Sequence, residues 1–129
     1  MKGPARILVI DDDEDVRWAV VELLQLLGFV AIGAANGQEG LKLATQRRPR
    51  LILLDLRMPV MNGWQFLAYR RQNTALARIP VAVVTAEPAD SPPLEPDVQV
   101  LLRKPLGEEE LRAALDQLMV APRARASSI

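Results

Sequence analysis

The stretch Leu51-Ile52-Leu53-Leu54-Asp55-Leu56-Arg57-Met58-Pro59-Val60-Met61-Asn62-Gly63 decides the fold. Its four branched apolar residues are too few for a helix and follow Arg48-Pro49-Arg50. They read as a central strand buried on both faces, as strands of parallel sheets are. A carboxylate ends the run, so Asp55 falls at the carboxyl end of a buried strand, where open α/β sheets hold their ligands. Pro59 and the Asn62-Gly63 turn fix the loop that follows.

Outward from this strand the chain alternates short apolar runs with helical periodicity. Arg6 to Ile10 is a strand ending at Asp11, Asp12, Asp13, Glu14 and Asp15. Asp13 caps the helix that follows, with Glu14 and Asp15 in its first turn, where acids favour the free amides and the macrodipole. Val16, Ala19, Val20, Leu23, Leu24 and Leu27 form its i, i+3, i+4 stripe, closed by Gly28. Trp18 and Val21 lie off that stripe and are expected to be partly exposed. Val30 to Ala34 is a second strand, Asn36-Gly37 a turn, and Gln38 to Arg48 a helix ended before Pro49. Trp64, Phe66, Leu67 and Tyr69 with Arg70-Arg71 suggest a third helix that fades by Asn73-Thr74. Val81 to Val84 and Val98 to Leu102 are two further strands, ending at Thr85 and at Arg103-Lys104-Pro105. Gly107 caps a last helix with Glu108, Glu109 and Glu110 in its first turn and Leu111, Ala114, Leu115 and Leu118 buried. Between them Pro88, Pro92, Pro93 and Pro96 oppose a regular helix. Residues 1–120 read as one domain and 121–129 as a disordered tail.

Composition narrows the chemistry. A chain of 129 residues without cysteine or histidine offers no thiolate, no imidazole base and no usual zinc ligand, which leaves carboxylates, hydroxyls and ammonium groups. Sixteen basic and sixteen acidic residues balance, which argues against nucleic acid and membrane surfaces as partners. The apolar runs are too short to cross a bilayer and the N-terminus lacks a signal-peptide core, so a cytoplasmic protein is expected.

The segment from Asp55 to Gly63 resembles the phosphoacceptor segment of response-regulator receiver domains, an aspartate followed by a Met-Pro-x-Met-[Asn/Asp]-Gly loop. Asp11-Asp12, Thr85-Ala86 and Lys104-Pro105, each at a strand end, complete that family's pattern. The resemblance implies a flavodoxin-like (βα)5 sandwich with a parallel five-stranded sheet of order 2-1-3-4-5, here with the fourth helix degenerate or absent. It also implies a stand-alone receiver that takes a phosphoryl group onto Asp55 from phosphohistidine on a sensor histidine kinase or a phosphotransfer protein. Such a receiver is a phosphoacceptor assisting its own chemistry rather than an enzyme, and it signals through a downstream effector protein.

Phosphoryl donors are anionic and repel a carboxylate, so transfer depends on neutralising charge and positioning groups. Asp11 and Asp12, facing Asp55 from an adjacent strand, repel it unless a cation is shared, which points to a hard-metal site. The resemblance makes that metal Mg2+, held by Asp11, Asp12, Asp55 and the main-chain carbonyl of Arg57. Lys104 supplies a compact cation and Thr85 a hydroxyl to the phosphoryl oxygens. Two other readings stay open: a pseudo-receiver that binds without phosphoryl turnover, and a small phosphatase with an aspartyl-phosphate intermediate. Arg57 and Glu87 occupy the positions that flank the path of attacking water and are expected to pair across the pocket. Leu101 stands where the family carries a switching aromatic residue, so the response is expected to pass through residues 86–97.

Overall fold

A computed structural model of the chain describes residues 4–86, 98 and 100–120. Five strands, β1 (Arg6–Ile10), β2 (Val30–Ala34), β3 (Leu51–Leu54), β4 (Val81–Thr85) and β5 (Val100–Arg103), form one parallel sheet of order β2-β1-β3-β4-β5. The helices are α1 (Glu14–Leu26), α2 (Gly37–Arg47), α3 (Gly63–Gln72), the single turn α4 (Thr74–Ala77) and α5 (Glu108–Leu115), which runs on into a π-helical turn, Asp116–Val120. Helices cover both faces of the sheet, the architecture expected of alternating strands and helices.

The strand residues divide between two cores. Leu8, Ile10, Ile52, Leu54, Val81 and Val83 pack with Phe66 and Leu67 of α3 on one side. Ile7, Val9, Leu51, Leu53, Ala82 and Val84 pack with Val20, Val21 and Leu24 of α1 and Leu111 of α5 on the other. Successive side chains of a strand point to opposite faces, which is why a continuous apolar run is needed wherever both faces are covered.

Helix boundaries follow local chemistry. The Asp13 carboxylate accepts from the amides of Asp15 and Val16, and Gly28 takes a left-handed φ of 96° after α1. Asn62 and Gln65 form a reciprocal capping box at the start of α3, each side-chain oxygen accepting the other's amide at 2.9 Å.

Two expectations need correction. Val21 is buried, 8% exposed, while Trp18 at 57% is open to solvent as expected and Ala19 is exposed. The inward face of α1 is centred on Val20, Val21 and Leu24, with Val16, Leu23 and Leu27 partly buried beside them. The last strand begins at Val100, not Val98. The third helix ends at Gln72, as expected, and the Asn73 side chain accepts from the amides of Ala75 and Leu76 and so starts α4. Arg70, which the sequence marks only as part of the third helix, is 1% exposed and donates to the carbonyls of Ala77 and Ile79, tying α3 to the approach to β4. The proline-rich stretch 87–97 and the tail 121–129 lie outside the described residues.

Candidate functional site

Each predicted site residue on β1, β3 and β5 extends its strand at the carboxyl edge, held there by a backbone bond to the neighbouring strand. The Asp11 amide donates to Ala34 at 3.0 Å, the Asp55 amide to Ile10 at 2.9 Å and the Lys104 amide to Thr85 at 3.0 Å. Asp11, Asp55, Lys104 and Thr85 are therefore brought to one edge by the ladder itself. Asp11, Asp55 and Thr85 are buried, and Asp12 is exposed.

The Lys104 ammonium lies 2.8 Å from an Asp11 carboxylate oxygen and 3.5 Å from one of Asp55. Asp11 also accepts from the Asp13 amide at 2.9 Å, and Asp55 from the Leu56 amide at 2.9 Å. Burial, then the charge of Asp11, pushes the Asp55 carboxyl up to about 6, against the pull of Lys104 and the Leu56 amide. Burial works against the Lys104 ammonium, but its bond to Asp11 and the charges of Asp11 and Asp55 prevail and raise its pKa above the ordinary value. The Lys104–Pro105 peptide bond is cis.

Carboxylate oxygens of Asp11, Asp12 and Asp55 lie within 4.8 Å of one another. Three hard oxygen donors, two of them buried, with a single ammonium between them fit a divalent cation such as Mg2+, which takes oxygen ligands and retains waters. Arg57 follows two residues after Asp55, and its guanidinium lies over the Trp64 ring, 5.5 Å from the centroid. Glu87, its expected partner, lies outside the described residues.

The loop after Asp55 is closely fitted. The Gly63 amide donates to the Leu56 carbonyl at 2.7 Å, and a Cβ at Gly63 would stand 2.6 Å from the Asp55 carbonyl oxygen and 2.8 Å from the Leu56 Cα. Val60 adopts a left-handed φ of 71°, unusual for a β-branched residue. Next to the carboxylates, a cavity of about 440 Å³ opens between α1 and the loop after β5, walled by Val16, Val20, Val84 and Leu106. Arg17 was missed by the sequence reading. Its guanidinium donates to the Asp11 carbonyl at 2.7 Å and braces the loop from α1, and no spacing marks it beforehand.

Residues 7–116 match the model of the response regulator receiver domain. The chain belongs to this family. Among curated relatives, protein PilH of Pseudomonas aeruginosa is 29% identical over 118 residues, covering 89% of this chain and 98% of that one. The nitrate/nitrite response regulator NarL of Escherichia coli is 37% identical over 117 residues, and the match covers 88% of this chain but only 54% of NarL. Among solved structures, the chemotaxis response regulator CheY4 of Vibrio cholerae superposes with a TM-score of 0.78 at 30% identity, covering 89% and 98% of the two chains. The receiver domain of sensor histidine kinase PA1611 from Pseudomonas aeruginosa, described with magnesium in its active site cleft, gives 0.85 at 24% identity, covering 91% and 98%. The receiver fold with its 2-1-3-4-5 sheet is thus shared with these proteins, and two-component signalling is the role of the family.

Proposed function

We propose that this receiver domain accepts a phosphoryl group on Asp55 from a phosphohistidine of a sensor kinase or phosphotransfer protein, with Mg2+ bound, and signals to a separate effector protein. The observation that carries this reading is the convergence of Asp55, Asp11 and Lys104, with the ammonium 2.8 Å from Asp11 and 3.5 Å from Asp55. An Asp55 oxygen forms the new bond to phosphorus as the phosphorus–nitrogen bond of the donor breaks. Asp11, Asp12, Asp55 and the Arg57 carbonyl are the residues that would hold the metal, which when bound neutralises charge on donor and acceptor. Lys104 provides a cation that can pass from Asp11 to the incoming phosphoryl oxygens, and Thr85 a hydroxyl donor. In this reading the domain is an acceptor that assists its own phosphorylation and dephosphorylation, not an enzyme turning over a separate substrate.

The test is incubation with acetyl phosphate and magnesium, followed by intact mass. One phosphoryl group on the wild type and none on Asp55→Asn is the expected result. Unchanged mass of the wild type would favour a pseudo-receiver, and continuous release of phosphate from a non-signalling donor would favour a phosphatase.

A further inference from the structure

The two ends of the sheet differ in net charge, with acids outnumbering Arg17, Arg57, Arg103 and Lys104 at the carboxyl edge. At the carboxyl edge stand Asp11 to Asp15, Glu39, Asp55 and Glu108 to Glu110, and among the described acids only Glu22 and Asp116 lie away from it. The opposite end carries six exposed arginines, Arg6, Arg47, Arg48, Arg50, Arg71 and Arg78. Five of them, all but Arg71, are tied into one surface. The Arg50 amide donates to the Arg6 carbonyl at 2.8 Å, and the Arg6 guanidinium donates to the Arg47 carbonyl at 3.1 Å. Ile52 bonds to Pro80 at 3.0 Å, which sets Arg50 beside the Arg78-Ile79 turn. Arg48 and Ile79 wall the same cavity, of about 310 Å³, together with Ala44, Pro49, Asn73 and Leu76.

Helix ends explain part of this. Arg47 and Arg71 sit in the last turns of α2 and α3, where cations complement the macrodipole. Arg6 and Arg50 stand at strand starts, where no dipole calls for them, and the carbonyls between α3 and β4 are already served by the buried Arg70. Among the described residues, Arg47, Arg48, Arg50 and Arg78 have no carboxylate partner.

We propose that this end docks an acidic segment of another protein, whose apolar side chain enters the cavity beside Arg48 while its carboxylates meet the arginine forks. The cavity favours a protein segment over nucleic acid. Its walls set Ala44, Pro49, Leu76 and Ile79, which suit an apolar side chain, beside Thr45, Arg48 and Asn73, and among the described residues no aromatic side chain lines it for stacking on a base. The proposal is independent of phosphoryl chemistry, which occupies the other end of the strands.

The probe is a fluorescein-labelled peptide of glutamates flanking one leucine, titrated into the isotopically labelled domain. Expected are amide shifts over residues 45–50 and 73–79 and binding that weakens with added salt. Arg48→Glu/Arg78→Glu should lose about tenfold or more in affinity, since each reversed exposed pair is worth up to about fivefold. Ala75→Trp, an exposed position at the cavity mouth, should lose it with all arginines in place, and Arg112→Glu at the other end should bind like wild type. Shifts at the acidic end, equal affinity in Arg48→Glu/Arg78→Glu or in Ala75→Trp, or tighter binding of a DNA duplex than of the peptide would overturn the proposal. So would salt-sensitive multimers in sedimentation that vanish in Arg48→Glu/Arg78→Glu, because the occupant would then be the acidic end of a second copy.

Discussion

The Lys104 ammonium is bonded to Asp11 at 2.8 Å, closer than its 3.5 Å to Asp55, so the two carboxylates share one resting counter-ion. A metal would compete with that ammonium for the same oxygens. Lys104→Met should therefore bind magnesium at least as tightly as wild type by calorimetry, while its phosphoryl incorporation from acetyl phosphate falls. Weaker magnesium binding in Lys104→Met would mean the lysine supports the metal rather than competing with it.

Asp55 titrates near 6 in the folded protein against 3.8 ordinarily, so its proton stabilises the fold. That contribution is complete below about pH 4 and is lost as pH rises to about 6, amounting to at most about 3 kcal/mol. Without magnesium, Asp55→Asn should melt higher than wild type above pH 6, and the two curves should converge near pH 4. Parallel curves across that window would show that Asp55 ionises without cost.

Magnesium should raise the melting temperature of the wild type at pH 7.5 by relieving the repulsion among Asp11, Asp12 and Asp55. Asp12→Asn and Asp55→Asn should each lose most of that rise. A full rise in either variant removes that residue from the metal site.

Gly63→Ala places a methyl group against the Asp55 carbonyl and the Leu56 Cα, both backbone atoms that cannot swing aside. A loss of about 1–3 kcal/mol is expected in urea unfolding. Phosphoryl incorporation should fall as well, because relief of the clash displaces the Asp55 main chain. Wild-type stability and incorporation would show that the loop has slack the packing does not suggest.

Trp18 and Val21 separate surface from core on one helix. Trp18→Ala should leave stability within about 0.5 kcal/mol and slow transfer from a phosphohistidine donor, as loss of an exposed aromatic anchor would. Val21→Ala should cost about 1–3 kcal/mol through the vacated core volume. Unchanged transfer rates in Trp18→Ala would take α1 out of the docking surface.

The strands and the convergence of Asp11, Asp55 and Lys104 were legible because each rests on a short motif at the end of an apolar run, whereas the sheet order came only through the family resemblance those motifs carry. Asp13 as a cap and Gly28 as a helix stop were legible for the same local reason. What stayed hidden depends on direction or distance. The facing of Val21 turns on how α1 lies on β1 and β2, and burial of Arg70 turns on carbonyls seven and nine residues away. The balanced composition concealed the segregation of charge, since a sum carries no position.

The two-faced burial of the strands has a further consequence for pairing fidelity. Where one face of a strand is apolar and the other polar, a slip by one residue exposes the core set and corrects itself energetically. Leu51–Leu54 and Val81–Val84 are buried on both faces, so a slip there would keep apolar groups inside and meet little hydrophobic penalty. What penalises it are the termini: a slipped β3 would draw Asp55 into the hydrocarbon interior or push Leu54 out to the carboxylates, and would break the close fit at Gly63. The polar ends of the strands thus act as alignment marks during folding, which gives selection a reason to keep them that is separate from signalling.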